Sequence, residues 1–247
     1  MTAASIAVVT GAARGIGRAV TRRLVAAGSR VVAVDLDARG LDQLAQQLPA
    51  ESVRVVPADV STAEGVASYV DAAVDEFGGI DVFHNNAGIE GTVATLDESD
   101  VDAFDRVMRV NVRGVYLGLH AVLQVMRARG RGAVVNTASV AGLRGRVGLG
   151  PYVASKHAVL GLTRTAALEA AEYGVRVNAV CPGPVRTEMI ERIDASALRA
   201  GEGVGTSTLC RYGTADEVAA VVCWLLGDES AFVTGGAYPV DGGRTAV

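Results

Sequence analysis

Cysteine, histidine and aromatic side chains are scarce in this chain, and each shortage removes a class of function. The three cysteines, Cys181, Cys210 and Cys223, stand 29 and 13 residues apart. An odd number so spaced offers neither a disulfide framework nor a zinc knuckle. The three histidines, His84, His120 and His157, form no H-x-x-x-H pair, so a metal-independent protein is expected. The histidines read as packing residues and the cysteines as small core residues. Aromatics make up 4% of the chain and the net charge is −4, whereas a nucleic-acid binder shows a basic excess and stacking platforms. Long apolar runs are missing too. The longest, Val218 to Leu226, is nine residues, and a membrane span needs about 18 to 20. Neither nucleic acid nor membrane is an expected partner. No charged leader precedes the first apolar stretch, which reads as neither a signal nor a transit peptide; the expected location is cytoplasmic. Lysine is scarcer still: of 23 basic residues, only Lys156 is a lysine.

What is present is apolar bulk in short runs. Half of the 247 residues are hydrophobic and 30 are glycine, too apolar for disorder and of a length that α/β folds use as one domain, here 1–247. The runs Ile6 to Thr10, Val31 to Val34, Val53 to Val56, Ile80 to Phe83, Ala133 to Asn136 and Val175 to Val180 lack polar alternation. That suits strands buried on both faces of a parallel sheet. Helical patterns separate them, at about Gly15 to Ala27, Ala38 to Leu48, Ala63 to Phe77, Val101 to Arg129 and Pro151 to Tyr173. A later helix, Ala215 to Leu226, and a short strand, Tyr238 to Val240, close the pattern. The alternation predicts a doubly wound, Rossmann-like sheet whose ligand crevice lies at the carboxyl ends of the strands.

The first of those ends carries Thr10-Gly11-Ala12-Ala13-Arg14-Gly15-Ile16-Gly17. Glycine lets backbone approach a diphosphate, and the helix that follows aims its open N–H groups at the anion. The spacing is G-x-x-x-G-x-G rather than the usual dinucleotide G-x-G-x-x-G. The second strand ends at Asp35, with Leu36 beyond it. A carboxylate there accepts two ribose hydroxyls and repels a 2′-phosphate, which favours NAD over NADP. Arg14 reads either as a partner for a 2′-phosphate or as a solvated loop residue; Asp35, at the strand end, decides for NAD.

Ser139 and the run Tyr152-Val153-Ala154-Ser155-Lys156 carry the chemistry. Pro151 suits a first helical turn, so Tyr152 and Lys156 stand at i, i+4 on one face. A phenol with a pKa near 10 is a poor base, and a neighbouring ammonium favours its ionised form. Lowering it by three units requires about 4 kcal/mol of differential interaction. An ammonium is a compact point charge and a guanidinium a planar fork; a lone Lys at this spot in an Arg-using chain points to chemistry.

Together these residues resemble the short-chain dehydrogenase/reductase family over nearly the whole chain. The likeness rests on Thr10 to Gly17, Asp59-Val60, Asn85-Asn86-Ala87-Gly88, Asn111, Ser139, Tyr152 with Lys156, and Pro182-Gly183 followed by Thr187. It implies a seven-stranded sheet in the order 3-2-1-4-5-6-7 and a homotetramer or homodimer. Asp59 and Val60 would meet the adenine, and Asn86, Ala87 and Gly88 the adenosine side. Asn111 would help hold a water that links Lys156 to solvent. Pro182, Gly183, Val185 and Thr187 would frame the nicotinamide, with Ile16 along the cofactor. Tyr152 would move the proton, Ser139 hold the substrate oxygen, and Lys156 support the phenolate and a ribose hydroxyl.

For the substrate, a lid is expected over residues 188–209, which include Gly201, Gly203 and Gly205. Val140, Leu143, Leu149, Met189 and Ile190 suggest an apolar wall, hence an alicyclic or aromatic ketone or secondary alcohol; Glu90, Arg144 and Arg146 suggest a polar end. The stretches Asn86 to Gly91 and Asn136 to Gly145 are similar to NAD-dependent reductases of cyclic ketones. The rival readings are an NADPH-dependent acyl-carrier ketoreductase and, in another class, a non-catalytic NAD-sensing module. An enoyl reductase is disfavoured because that branch resembles Tyr-x6-Lys, and this chain has Tyr-x3-Lys.

Overall fold

A computed structural model describes residues 5–199 and 207–246. Seven strands form one parallel sheet: β1 (Ile6–Thr10), β2 (Arg30–Asp35), β3 (Val53–Pro57), β4 (Val82–Asn85), β5 (Gly132–Thr137), β6 (Val175–Pro182) and β7 (Ala237–Val240). Their order is β3-β2-β1-β4-β5-β6-β7, as expected. The helices are α1 (Gly15–Ala26), α2 (Ala38–Ala45), α3 (Ala63–Phe77), α4 (Val101–Met108), α5 (Gly114–Arg129), α6 (Gly150–Ala170), α7 (Glu188–Arg199) and α8 (Ala215–Leu226). Among the described residues no helix is long and apolar enough to cross a membrane.

The inner strands have the burial expected of them, but β3, at the sheet edge, is only partly covered and exposes Arg54. One core layer packs the sheet against α3, α5 and α6 through Tyr69, Phe83, Val122, Met126 and Val159. The other packs its opposite face against α1, α2 and α8 through Val20, Leu24, Leu41, Leu44, Val222 and Leu225. Helix ends follow local chemistry: Thr214 and Glu217 form a capping box on α8, and Thr62 caps α3.

Three stretches differ from the expectation. Strand β4 begins at Val82 rather than Ile80, because Gly78 and Gly79 (φ 89° and 145°) turn the chain out of α3 first. The helix expected over 101–129 is split by a π-helical turn, Arg109–Arg113, which wraps around the fully buried Asn111. The expected lid is in part a regular helix, α7; Gly201, Gly203 and Gly205 lie outside the described residues.

Candidate active site

The carboxyl ends of the strands open on a cleft of about 620 Å³, inside the range of about 300–1,000 Å³ usual for small-molecule sites. Of the described residues singled out for cofactor, chemistry and substrate, Gly17, Glu90, Asn111 and Leu143 stay off its wall.

The loop between β1 and α1 forms one end. Gly11 and Gly15 adopt φ of 66° and 52°, where any side chain is strained. Arg14 occupies the N-cap position of α1 in extended conformation, and no side chain caps the helix. Its leading N–H groups therefore face the cleft, as an anion requires. Gly17 serves packing instead. A Cβ there would lie 2.1 Å from the Gly11 carbonyl oxygen and 2.8 Å from Asn86 Nδ2. Gly17→Ala is expected to cost about 1–3 kcal/mol through overpacking and to weaken nucleotide binding, measured by denaturant unfolding and by NADH titration.

Asparagine and threonine brace this loop from β4 and β5. Asn86 Nδ2 donates to the Thr10 carbonyl at 2.9 Å, and the Asn86 N–H donates to Thr10 Oγ1 at 2.8 Å. Thr137 Oγ1 donates to Asn86 Oδ1 at 3.0 Å, so His84 Nε2, 2.9 Å from that hydroxyl, carries the proton and donates to it. Burial pushes His84 down to about 3, which keeps it a neutral strut, in line with its reading as a packing residue.

Two carboxylates mark the far end of that loop. Asp35 accepts the Ala13 N–H at 3.1 Å on one oxygen and the Asp37 N–H at 3.0 Å on the other; each oxygen keeps lone pairs for a hydroxyl donor. Asp37 caps α2 through the Gly40 N–H, which holds its carboxyl below the usual range, and Arg14 adds to the effect. Arg14 also bridges to Glu188 on α7, with both of its ion pairs at 2.5 Å. It is exposed to solvent, as a loop residue would be, and is at the same time engaged by both carboxylates. Asp59 is pushed up by burial, but Ser61 donors outweigh this and hold it low. Exposed Leu36 edges the same end. The glycine cradle, the open helix end and the two carboxylates fit a dinucleotide.

Tyr152 and Lys156 lie on α6 as their spacing requires. Lys156 is 3% exposed, its Nζ donates to the Thr137 carbonyl at 2.8 Å, and it lies 5.5 Å from the centroid of the Tyr152 ring. Ser139 caps a short turn through the Ala141 N–H at 3.1 Å and faces the phenol. The expected direction of the phenol shift is not what the protein alone produces. Burial pushes Tyr152 up to about 12, Glu90 adds to this, and Ser139 and Arg146 oppose it. Burial also brings Lys156 down to about 8. Desolvation thus favours the neutral pair, phenol and amine, over phenolate and ammonium.

Asn111 reaches the same helix directly. Its amide exchanges two hydrogen bonds with the Ile89 backbone, both 2.8 Å, and donates to Ser155 Oγ at 3.0 Å. It clamps the loop after β4 onto α6. Gly88 lies in between: a Cβ there would stand 3.1 Å from Asn111 Oδ1 and 3.5 Å from Lys156 Nζ. Pro182, Gly183, Val185 and Thr187 form the opposite rim. The Thr187 methyl group would be 3.3 Å from a Cβ on Gly15, so that rim meets the phosphate loop. Val140, Leu149, Met189 and Ile190 line the substrate end; Leu143 is exposed to solvent instead.

A family model described as enoyl-(acyl carrier protein) reductase matches residues 11–245. Levodione reductase of Leifsonia aquatica is 42% identical over 251 residues, covering 98% of this chain and 94% of that protein. The chain belongs to the short-chain dehydrogenase/reductase family. Members of this family are NAD(P)-dependent oxidoreductases acting on CH–OH groups, and this chain is one of them. Cyclohexanol dehydrogenase of Acinetobacter sp. (strain SE19) is 37% identical, covering 98% of this chain and 95% of that one. A crystal structure of levodione reductase superposes with a TM-score of 0.93 at 41% identity, covering 98% of each chain.

Within this short-chain dehydrogenase/reductase, several cleft residues were not singled out for these positions from sequence. Asp37 was visible as the second acid of Asp35-Leu36-Asp37. Thr137, which supplies the carbonyl that holds Lys156, carried no signal because the contact is made by its backbone. Arg192, Ile193 and Arg244 reach the cleft from α7 and from the C-terminal segment, which have no motif of their own.

Proposed function

We propose that the chain interconverts a secondary alcohol and its ketone, the substrate being an apolar cyclic or aromatic one, using NAD(H). The observation that carries this is the convergence of Ser139, Tyr152 and Lys156 with the glycine cradle and Asp35 on one cleft. Bound there, NAD(H) supplies the hydride acceptor or donor. Gly11, Gly15 and the start of α1 hold its diphosphate, and Asp35 and Leu36 its adenosine ribose side. Asp59, Val60, Asn86, Ala87 and Gly88 flank the adenosine, Ile16 lies alongside, and Pro182, Gly183, Val185 and Thr187 frame the nicotinamide. Tyr152 gives its proton to the ketone oxygen in reduction and takes it from the hydroxyl in oxidation. Ser139 holds that oxygen. Lys156 stabilises the phenolate when it forms, and Asn111 positions α6 against the Gly88 loop. Leu149, Val140 and Met189 exclude water beside the reacting carbon.

NAD is preferred over NADP because two carboxylates, Asp35 and Asp37, flank the ribose position and a 2′-phosphate there meets their charge. Arg14, the one cation of that loop, is already engaged by Asp37 and Glu188. Asp35→Ser is expected to lower kcat/KM for NAD about 10- to 100-fold, the worth of hydrogen bonds to a charged group, while raising that for NADP. Faster wild-type turnover with NADP would refute the preference.

A panel of cyclic, aromatic and acyclic ketones and alcohols, each with NAD(H) and NADP(H) and followed by nicotinamide absorbance, tests the whole reading. Cyclic or aromatic substrates with NAD(H) support it. Selective turnover of acyl-thioester ketones with NADPH supports an acyl-carrier ketoreductase, and tight NAD binding with no turnover supports a sensing module. Self-association as a homotetramer or homodimer is also part of the reading; Leu168 and Phe232 are strongly exposed apolar side chains, and light scattering tests it.

A further inference from the structure

The substrate end of the cleft holds a concentration of positive charge that the reaction above does not use. Arg144 and Arg146 follow Ser139 on the loop after β5, and Arg244 enters from the C-terminal segment. All three line the cleft that Tyr152 lines. Arg144 Nη1 donates to the Arg244 carbonyl oxygen at 3.1 Å, which ties the C-terminal segment to this loop. Arg244 feels the other two: burial holds it below the ordinary guanidinium value, Arg144 and Arg146 push it the same way, and Tyr212 and Asp194 oppose them.

Among the described residues, the nearby acids Glu90 and Asp194 have partners of their own. Glu90 is held by Arg192 in a two-pronged contact at 2.5 and 3.3 Å. Asp194 accepts the Tyr212 hydroxyl at 2.7 Å. The Arg146 side chain makes no ion pair or hydrogen bond among the described residues, yet its charge reaches both Tyr152 and Tyr212. A protein of net charge −4 thus gathers cations on one wall of one cleft, where low-dielectric surroundings focus their field. The neighbouring wall is apolar, built by Val140, Leu149, Met189, Ile190 and Ile193. An apolar wall beside a basic cluster matches a molecule with an apolar ring and an anionic group.

We propose that Arg146, with Arg144 and Arg244, forms a specificity-determining site for the carboxylate of an anionic ring substrate whose carbonyl or hydroxyl is presented to Ser139 and Tyr152. The guanidinium fork matches a carboxylate in two-pronged geometry. The assignment rests on the oxidoreductase reading of the cleft.

Two measurements test it. Initial rates with NADH are compared for para-acetylbenzoate and its carboxamide, and for a cyclohexanone bearing a carboxylate opposite the carbonyl and its carboxamide. The anion of each pair is expected to show kcat/KM on the order of 10- to 100-fold higher, mainly through KM, and Arg146→Gln brings each pair toward parity. Separately, unreactive cyclohexanecarboxylate and cyclohexanecarboxamide are titrated calorimetrically into wild-type protein saturated with NADH. The anion is expected to bind about tenfold tighter or more, less so at high salt. Equal rates and equal affinities in the wild type overturn the anion site while leaving the oxidoreductase reading intact. An anion preference that Arg146→Gln leaves unchanged also overturns it. Tight anion binding without turnover of any of these ketones keeps an anion-binding cluster but overturns its role in substrate specificity.

Discussion

Tyr152→Phe is expected to lower kcat for ketone reduction and alcohol oxidation by about 10²–10⁴-fold, the usual contribution of a positioned acid or base. The substitution removes one oxygen and leaves the ring, its place on α6 and the Lys156 contact with the Thr137 carbonyl undisturbed. NADH affinity, read by fluorescence titration, is therefore expected to change little. Burial holds the phenol at about 12 in the protein alone, so at neutral pH the hydroxyl is protonated and ready to donate. Reduction is then favoured at lower pH, and oxidation, which needs the phenolate, rises with pH. A Tyr152→Phe protein retaining most of its turnover removes Tyr152 from proton transfer.

Lys156→Met is the second large effect, a loss in kcat of about 10²–10³-fold, as when one electrostatic stabiliser is removed. The ammonium is the nearest positive charge on α6 to the phenol; beside the neutral phenol burial brings it down to about 8, and a phenolate in turn favours the charged ammonium. Without it nothing on the same helix supports a phenolate, and the rising limb of the oxidation profile moves to higher pH by about 1–3 pH units. Lys156→Arg is expected to lose activity as well. The Nζ donates to the Thr137 carbonyl at 2.8 Å and lies 3.5 Å from where a Cβ on Gly88 would be, which leaves no room for a planar fork. An arginine variant with normal kcat and an unmoved pH profile contradicts the role given to Lys156.

The inner strands were legible because they are buried on both faces, whereas the edge strands β3 and β7 are only partly covered. Runs such as Ile6 to Thr10 and Val175 to Val180 carry no alternation for a solvent face, and the structure buries them accordingly. The strand order was a different matter: nothing in those runs ranks one neighbour over another, and the order came from the family resemblance. The π turn at Arg109–Arg113 was hidden because one widened turn barely alters the apolar spacing of a long helix. Helix α7 was hidden because Gly201, Gly203 and Gly205 made the whole stretch 188–209 read as a lid rather than as a regular element.

In the site, side-chain identity and spacing were legible and environment was not. Tyr152 and Lys156 are four apart in any helix, so their shared face followed directly. The upward shift of the phenol did not, because it comes from burial by segments distant in sequence. Arg14 was ambiguous for the same reason: its partners are Asp37, 23 residues away, and Glu188, 174 residues away. Gly17 looked like part of the anion cradle, yet its missing side chain makes room for the Gly11 carbonyl and Asn86.

The central claim is that Tyr152 is the proton carrier and that positive charge beside it makes it acidic. Isotope-labelled tyrosine NMR, with Tyr152→Phe used to assign the resonance, measures its ionisation directly. Without cofactor, the Tyr152 signal is expected to remain that of a phenol at about pH 9, one unit below an ordinary tyrosine. With NAD bound, a substantial phenolate fraction is expected at the same pH, and Lys156→Met is expected to abolish it. A Tyr152 resonance that titrates identically with and without NAD contradicts the account.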